Sequence, residues 1–226
     1  MCHQCQTKPV YEFTNKRKVC GNCFVRYFQK KVFYTIRKFE MIKRGEVISY
    51  AKEKSFRSIV LEDVLKMFAE KGVEIIKLPA RFRSQIDNSA TGFAKSLRKD
   101  LLMQKNSRDN CVLAENRVGR RFGANKKISK IAEPTTTDII TYKIINEIIL
   151  GNSNNLKEFL PVDKKIIKPL CLFLDKEVLL YAKLKKLKFK KVVEEKSKTS
   201  LFIDELEKKH PEVKRAVVNG WLKLNN

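Results

Sequence analysis

The chain has 226 residues, 43% of them apolar, which suits one medium domain with a small appendage and excludes a disordered tail. Forty-nine Lys and Arg against 25 Asp and Glu leave a formal charge of +24. A compact fold carries that excess most easily beside a polyanion, with nucleic acid the first expectation and a membrane surface the weaker one.

The first 23 residues hold two close cysteine pairs, Cys2 with Cys5 and Cys20 with Cys23. A β-prone stretch (residues 10–14) and a basic turn of Lys16, Arg17 and Lys18 lie between them. Two residues between cysteines let both sulfurs of a turn face one ion, and two such turns close a four-sulfur site. The amino-terminal residues include no apolar signal region, and no stretch approaches the roughly 20 apolar residues of a spanning helix. The expectation is a cytoplasmic chain with no membrane partner. Its thiols then stay reduced, and the four cysteines read as ligands of a structural Zn²⁺ that folds a segment too small for its own core. A disulfide pair, an iron–sulfur cluster and a redox dithiol are the competing readings, and the spacing with the compartment selects zinc.

A helix is predicted over about residues 24–40, because Phe24, Phe28, Val32, Ile36 and Phe39 recur at helical spacing. Arg26, Lys30 and Arg37 share a different face. Gly45 interrupts, residues 47–51 read as a strand, and Ile59, Val60, Val64, Leu65 and Phe68 give a second helix closed by Lys71 and Gly72. Residues 73–78 form a strand stopped by Pro79. Strand, helix and strand at this spacing predict a parallel sheet. Further helices are expected over residues 90–101, 139–150, 175–187, 201–209 and 211–224. Strands are expected over residues 128–132 and 166–173, the last demoted to an edge or a bend by Pro169.

Little else carries chemistry. Cys111 and Cys171 stand alone, and a lone cysteine in apolar context is most often a small core residue, although Arg117, Arg120 and Arg121 could lower the pKa of Cys111. His3 and His210 are the only histidines, so no Ser/His or Cys/His constellation exists. No glycine lies between Val47 and Ile59, where the first strand of the sheet runs into its helix. The turn there, residues 52–57, reads Lys-Glu-Lys-Ser-Phe-Arg, which is too bulky for close backbone approach to phosphate. Neither ATP nor an iron–sulfur cluster is expected. Basic residues interleave with aromatics along residues 17–38 and cluster again at 117–127 and 183–198. Single runs of Lys are usually solvated faces, but three such regions suit a folded RNA held by its backbone. The candidate RNA-binding residues are Lys30, Arg37, Arg117, Arg120, Arg121, Lys185, Lys186, Lys188, Lys190 and Lys191. No catalytic residue is assigned.

The order of these features resembles the wobble-uridine tRNA 2-thiolation proteins of the PP-loop ATPase superfamily. Cys20-Gly21-Asn22-Cys23-Phe24 matches that family's knuckle. Residues 45–51 match its first strand, and Pro169-Leu170, Asp175-Lys176-Glu177 and Tyr181-Ala182 match its "PL…EKE…YA" segment. Cys111 with Arg117, Arg120 and Arg121 is similar to the family's C-x-x-C…R stretch with the second cysteine lost, and Asp138 sits where the family has a pair of acids. The family's S-G-G-x-D-S loop has no counterpart in residues 52–57. The resemblance implies an α/β fold, with a zinc knuckle (1–23), a basic linker helix (24–44) and a degenerate PP-loop, adenine nucleotide alpha hydrolase-like domain (45–226). It also implies the non-catalytic subunit of a heterodimer that 2-thiolates wobble uridine. Its partners would be tRNA, the ATP-binding catalytic thiolase subunit and a ubiquitin-like sulfur carrier. A self-sufficient thiolase and an unrelated zinc-knuckle RNA-binding protein are the alternatives.

Overall fold

The computed structural model describes residues 1–78, 128–190 and 197–225. The chain opens on a small antiparallel hairpin of β1 (Tyr11–Glu12) and β2 (Lys18–Val19), with Tyr11 opposite Val19. Lys16 closes its turn with a left-handed φ of 60°. The helix α1 (Gly21–Lys38) follows at once and buries Phe24, Phe28, Val32 and Ile36, the apolar face expected from the spacing. Phe39 lies just past its end and is partly buried.

A five-stranded sheet comes next. Its strands are β3 (Val47–Ala51), β4 (Glu74–Leu78), β5 (Lys130–Ala132), β6 (Val162–Asp163) and β7 (Ile166–Ile167), in the order β4-β3-β5-β7-β6. The pairings β3 with β4, β3 with β5 and β5 with β7 are parallel, and β6 with β7 is antiparallel. All five residues of β3 are buried, as a parallel strand covered on both faces requires. The helices are α2 (Phe56–Ala69), α3 (Thr137–Ile149), α4 (Asp175–Leu184), α5 (Lys198–Lys209) and α6 (Val213–Leu224), with a 3-10 turn at Ser153–Phe159. The α/β class with a parallel sheet is therefore as expected. The helix expected over residues 90–101 lies outside the described residues.

The run from 166 to 173 corrects the sequence reading. Only Ile166 and Ile167 pair as a strand, and they lie inside the sheet between β5 and β6. Pro169 has no N–H for a ladder, so the chain turns there, with Cys171 N donating to Lys168 O and Phe173 N to Leu170 O. The buried Thr137 holds the turn: its hydroxyl donates to Cys171 O at 2.8 Å and its N–H donates to Phe173 O at 2.9 Å. Leu170, Cys171, Phe173 and Leu174 are buried in this compact form without belonging to a strand. Burial pushes the Cys171 thiol up to about 12, which fits its reading as a small core residue.

One apolar cluster joins the hairpin to the sheet. Phe28 stacks on Tyr181 with ring centroids 4.1 Å apart and lies 4.3 Å from Phe173, while Phe24 lies 5.0 Å from Tyr11. Gly21 permits this approach, since a Cβ there would come within 3.0 Å of Leu184 at the end of α4. Beneath the cluster, Glu177 is fully buried with its charge engaged. It accepts from Leu174 N at 3.0 Å and from Arg215 at 2.8 Å, and Lys31 Nζ stands 3.7 Å away. The Tyr11 hydroxyl adds a bond of 3.4 Å, so one carboxylate ties β1, α1, α4 and α6 together. No helix among the described residues is long and apolar enough to cross a membrane.

Candidate metal centre and the carboxyl edge of the sheet

Cys2 and Cys5 belong to a tight amino-terminal turn, in which Cys2 N donates to Thr7 O at 2.8 Å and Gln6 N to Cys2 O at 3.0 Å. Gln6 takes a left-handed φ of 57° to complete it. Cys20 is the N-cap of α1, and Cys23 lies in the helix's first turn. The hairpin brings the two halves together through His3 N to Lys18 O at 3.0 Å and Val10 N to Val19 O at 2.9 Å. All four sulfurs lie within 4.8 Å of one another, with Cys5 Sγ 3.3 Å from Cys20 Sγ and 3.7 Å from Cys23 Sγ.

This donor set fits a metal. Its sulfurs converge, three of the four residues are buried, and two sit at the positive end of a helix, where thiolate is favoured. The Thr7 hydroxyl, the Cys23 N–H and Cys5 hold the Cys20 thiol down at about 6. The hydrogen bond with Cys20, and then burial, push the Cys23 thiol up to about 12. Without a cation the group must share protons in this way, whereas a bound cation lets every sulfur ionise. Lys16, Arg17 and Lys18, on the turn of the hairpin, add positive charge beside it.

Of the candidate RNA-binding residues, Lys30 and Arg37 are exposed on α1. Neither has an ion-pair partner among the described residues, and α1 itself holds no acid. Lys30 borders a groove of about 480 Å³ lined also by Arg17, Arg26, Tyr27 and Tyr34. Lys185, Lys186, Lys188 and Lys190 are exposed where the chain leaves α4, turned away from the helix by the left-handed Lys186. Arg117, Arg120, Arg121 and Lys191 lie outside the described residues, as does Cys111.

The sheet changes direction between β3 and β5, the place where open α/β sheets bind ligands beyond the carboxyl ends of their strands. Here the chain closes on itself. Lys52 N donates to Leu78 O at 2.9 Å, Glu53 N to Ser58 Oγ at 3.2 Å and Ser58 N to Ser55 Oγ at 3.3 Å. The buried Ser58 hydroxyl donates in turn to Ala51 O at 3.2 Å. Several backbone donors of the turn are therefore already engaged within the protein.

The acids of this edge are engaged too. Arg57 grips both oxygens of Asp175, with Nε 2.7 Å from Oδ1, and the Thr136 hydroxyl donates to Oδ1 at 2.8 Å. Asp175 is therefore engaged by its side chain and does not cap α4. Leu174 holds the N-cap position, and the Glu177 carboxylate accepts its N–H. Asp138 accepts from Asp175 N at 2.7 Å and from Lys214 at 2.7 Å. Lys214 also meets Asp204 at 2.9 Å and Glu207 at 2.7 Å. Sequence reasoning missed Lys214, Arg215 and Lys31, because lysines and arginines at helical spacing look like solvated surface until their acids are placed. The Glu three residues after Leu174 was the one local signal for the Glu177 network.

No family model and no curated protein matches the sequence. Among solved structures, the chain is similar to the "U34-tRNA thiolase NcsA from Methanococcus maripaludis with its [4Fe-4S] cluster". The TM-score is 0.69 at 22% identity, over 99% of this chain and 86% of that one. The fold is thus shared over nearly the whole length. The comparison also corrects the cofactor expectation: that protein carries an iron–sulfur cluster, so excluding one here does not stand. Cysteine spacing selects thiolate donors, but the same four sulfurs suit a lone metal ion or cluster iron, and spacing does not separate the two.

Proposed function

We propose that this chain acts in 2-thiolation of tRNA wobble uridine, as the non-catalytic partner of an ATP-binding thiolase subunit. The observation that carries the reading is a thiolase-like fold whose carboxyl edge is closed by its own side chains. The likeness to NcsA covers 99% of the chain, yet residues 52–57 contain no glycine, and Lys52, Glu53 and Ser58 already use their N–H groups. Adenylating the uridine oxygen needs such donors around phosphate. Asp138, at the place of the family's acid pair, is ion-paired to Lys214.

What remains suits a supporting subunit: four converging cysteines beside a hairpin, a helix whose Lys30 and Arg37 have no acid partner among the described residues, and a lysine-rich exit from α4. A second basic protomer would lengthen the surface that neutralises tRNA phosphates. In this reading the chain's partners are tRNA and the catalytic subunit, with sulfur delivered to the latter by a ubiquitin-like carrier.

Reconstitution tests it. Purified chain, the ATP-binding subunit, tRNA, ATP and a sulfur donor are combined, and 2-thiouridine is measured by mass spectrometry of digested tRNA. Thiolation is expected only when both proteins are present. Thiolation by this chain alone would make it an enzyme and overturn the reading, and the absence of any tRNA binding would overturn it from the other side.

A further inference from the structure

The turn after β3 has lost the features of a nucleotide loop, but its lysines are arranged with the tail of α4 in a way that invites another ligand. Residues 187–190 run alongside the turn, fixed by Lys190 N donating to Lys54 O at 2.8 Å and by Phe189 packing edge-on to Phe56 at 6.3 Å. Between the two segments and α2 lies a groove of about 430 Å³. Lys52 and Lys54 line it from one side, and Lys188 and Lys190 from the other. Arg57, by contrast, belongs to the separate cleft with Asp138 and Asp175.

Three acids line this groove, Glu53 on the turn and Glu62 and Asp63 on α2, and none is free. Glu62 pairs with Lys77 at 2.7 Å and with Lys66 at 3.3 Å, and Asp63 accepts from the Tyr181 hydroxyl at 2.8 Å. The lysines of the turn and of the tail are not so engaged. Lys52, Lys54, Lys188 and Lys190 are exposed, and their side chains have no ion-pair partner among the described residues. Four ammonium groups around one groove, unpaired among the described residues, repel one another unless a polyanion passes between them. An extended anion with regularly spaced charge satisfies all four, and the groove is open rather than shaped around a base or sugar.

We infer that Lys52, Lys54, Lys188 and Lys190 form a phosphodiester-binding groove, so that the turn replacing the nucleotide loop holds the backbone of an RNA. The inference rests on the tRNA-directed reading above and gives it a place on the molecule. Contacts of this kind are made to phosphates and carry no base specificity.

The test uses the full chain and transcribed tRNA, with binding followed by fluorescence anisotropy at several salt concentrations. Each lysine that neutralises a phosphate contributes about 0.7 to 0.9 to the slope of log affinity against log salt. Lys52→Ala with Lys54→Ala should therefore lower the slope by about 1.4 to 1.8 and weaken binding roughly 25- to 60-fold near 0.1 M salt. Lys52→Arg with Lys54→Arg should keep both, and circular dichroism should show the same thermal unfolding for all forms. A parallel variant, Lys30→Ala with Arg37→Ala, separates this groove from the rest of the basic surface. If the α1 variant lowers the slope while the Lys52 and Lys54 variant leaves it unchanged, the groove is overturned and the tRNA reading survives. If the unaltered chain shows no salt-dependent tRNA binding, the tRNA reading itself fails.

Discussion

Replacing Lys214 by Met probes the carboxyl edge most directly. Lys214 is 7% exposed at its side chain and makes three charged contacts, to Asp138 at 2.7 Å, Asp204 at 2.9 Å and Glu207 at 2.7 Å. Burial alone would lower the ammonium's pKa, but Asp138 and Glu207 outweigh it and raise it. Methionine keeps most of the volume and removes the charge, leaving three carboxylates facing one another. Removing one partner of a buried charge network costs about 3 to 5 kcal/mol. At about 2 to 4 °C per kcal/mol for a chain of this size, the midpoint should fall by about 6 to 20 °C.

The pH dependence of that loss has a definite sign. Asp138 is raised by burial first and by the Asp175 charge second, with Lys214 pulling it back. Without Lys214 it rises further, so the folded variant binds a proton that the unfolded chain releases. Stability of the variant should then increase as pH falls through the folded Asp138 value. The unaltered protein, whose Lys214 is raised above 10.5, keeps that contribution at neutral pH and loses it only as pH climbs past that value. Urea titrations followed by circular dichroism at pH 5 and pH 8 measure both effects, and the gap between the two proteins should be smaller at pH 5. A gap below about 1 kcal/mol that is equal at the two pH values would refute the reasoning, since it would mark the network as solvent-screened.

Cys20→Ser should abolish stoichiometric metal, whether zinc or iron with inorganic sulfide, as measured by elemental and sulfide analysis of the purified chain. Because Cys20 and Cys23 share an apolar cluster with Phe24 and Phe28, the loss should also lower the unfolding midpoint of the α/β body, and an unchanged midpoint would contradict that coupling. Glu177→Gln should cost about 3 to 5 kcal/mol in chemical denaturation, because Arg215 and Lys31 would keep buried charge with no counterion. A cost near zero would mean that water reaches the pair.

The amino-acid sequence by itself determined the four-sulfur donor set, the α/β class and the apolar faces of α1 and α2. Each of these is written in short-range periodicity: two-residue cysteine spacing, strand–helix–strand order, and Phe24, Phe28, Val32 and Ile36 one helical turn apart. It misplaced the end of the sheet, because a run such as residues 166–173 reads equally well as a strand or as a buried turn until Pro169 and Thr137 settle the hydrogen bonding. It also chose one metal where four thiolates suit more than one. Only the tertiary structure decided which charges are solvated and which are engaged. Glu177 meets Arg215 and Lys31 across 38 and 146 residues of chain, and Asp138 meets Lys214 across 76, distances over which no local pattern carries information. The same folding sorted the lysines: Lys52, Lys54, Lys188 and Lys190 meet no acid among the described residues, while Lys31 and Lys214 took theirs inward. A cation's role depends on what the fold brings within about 4 Å of it, and the one-dimensional chain does not hold that distance.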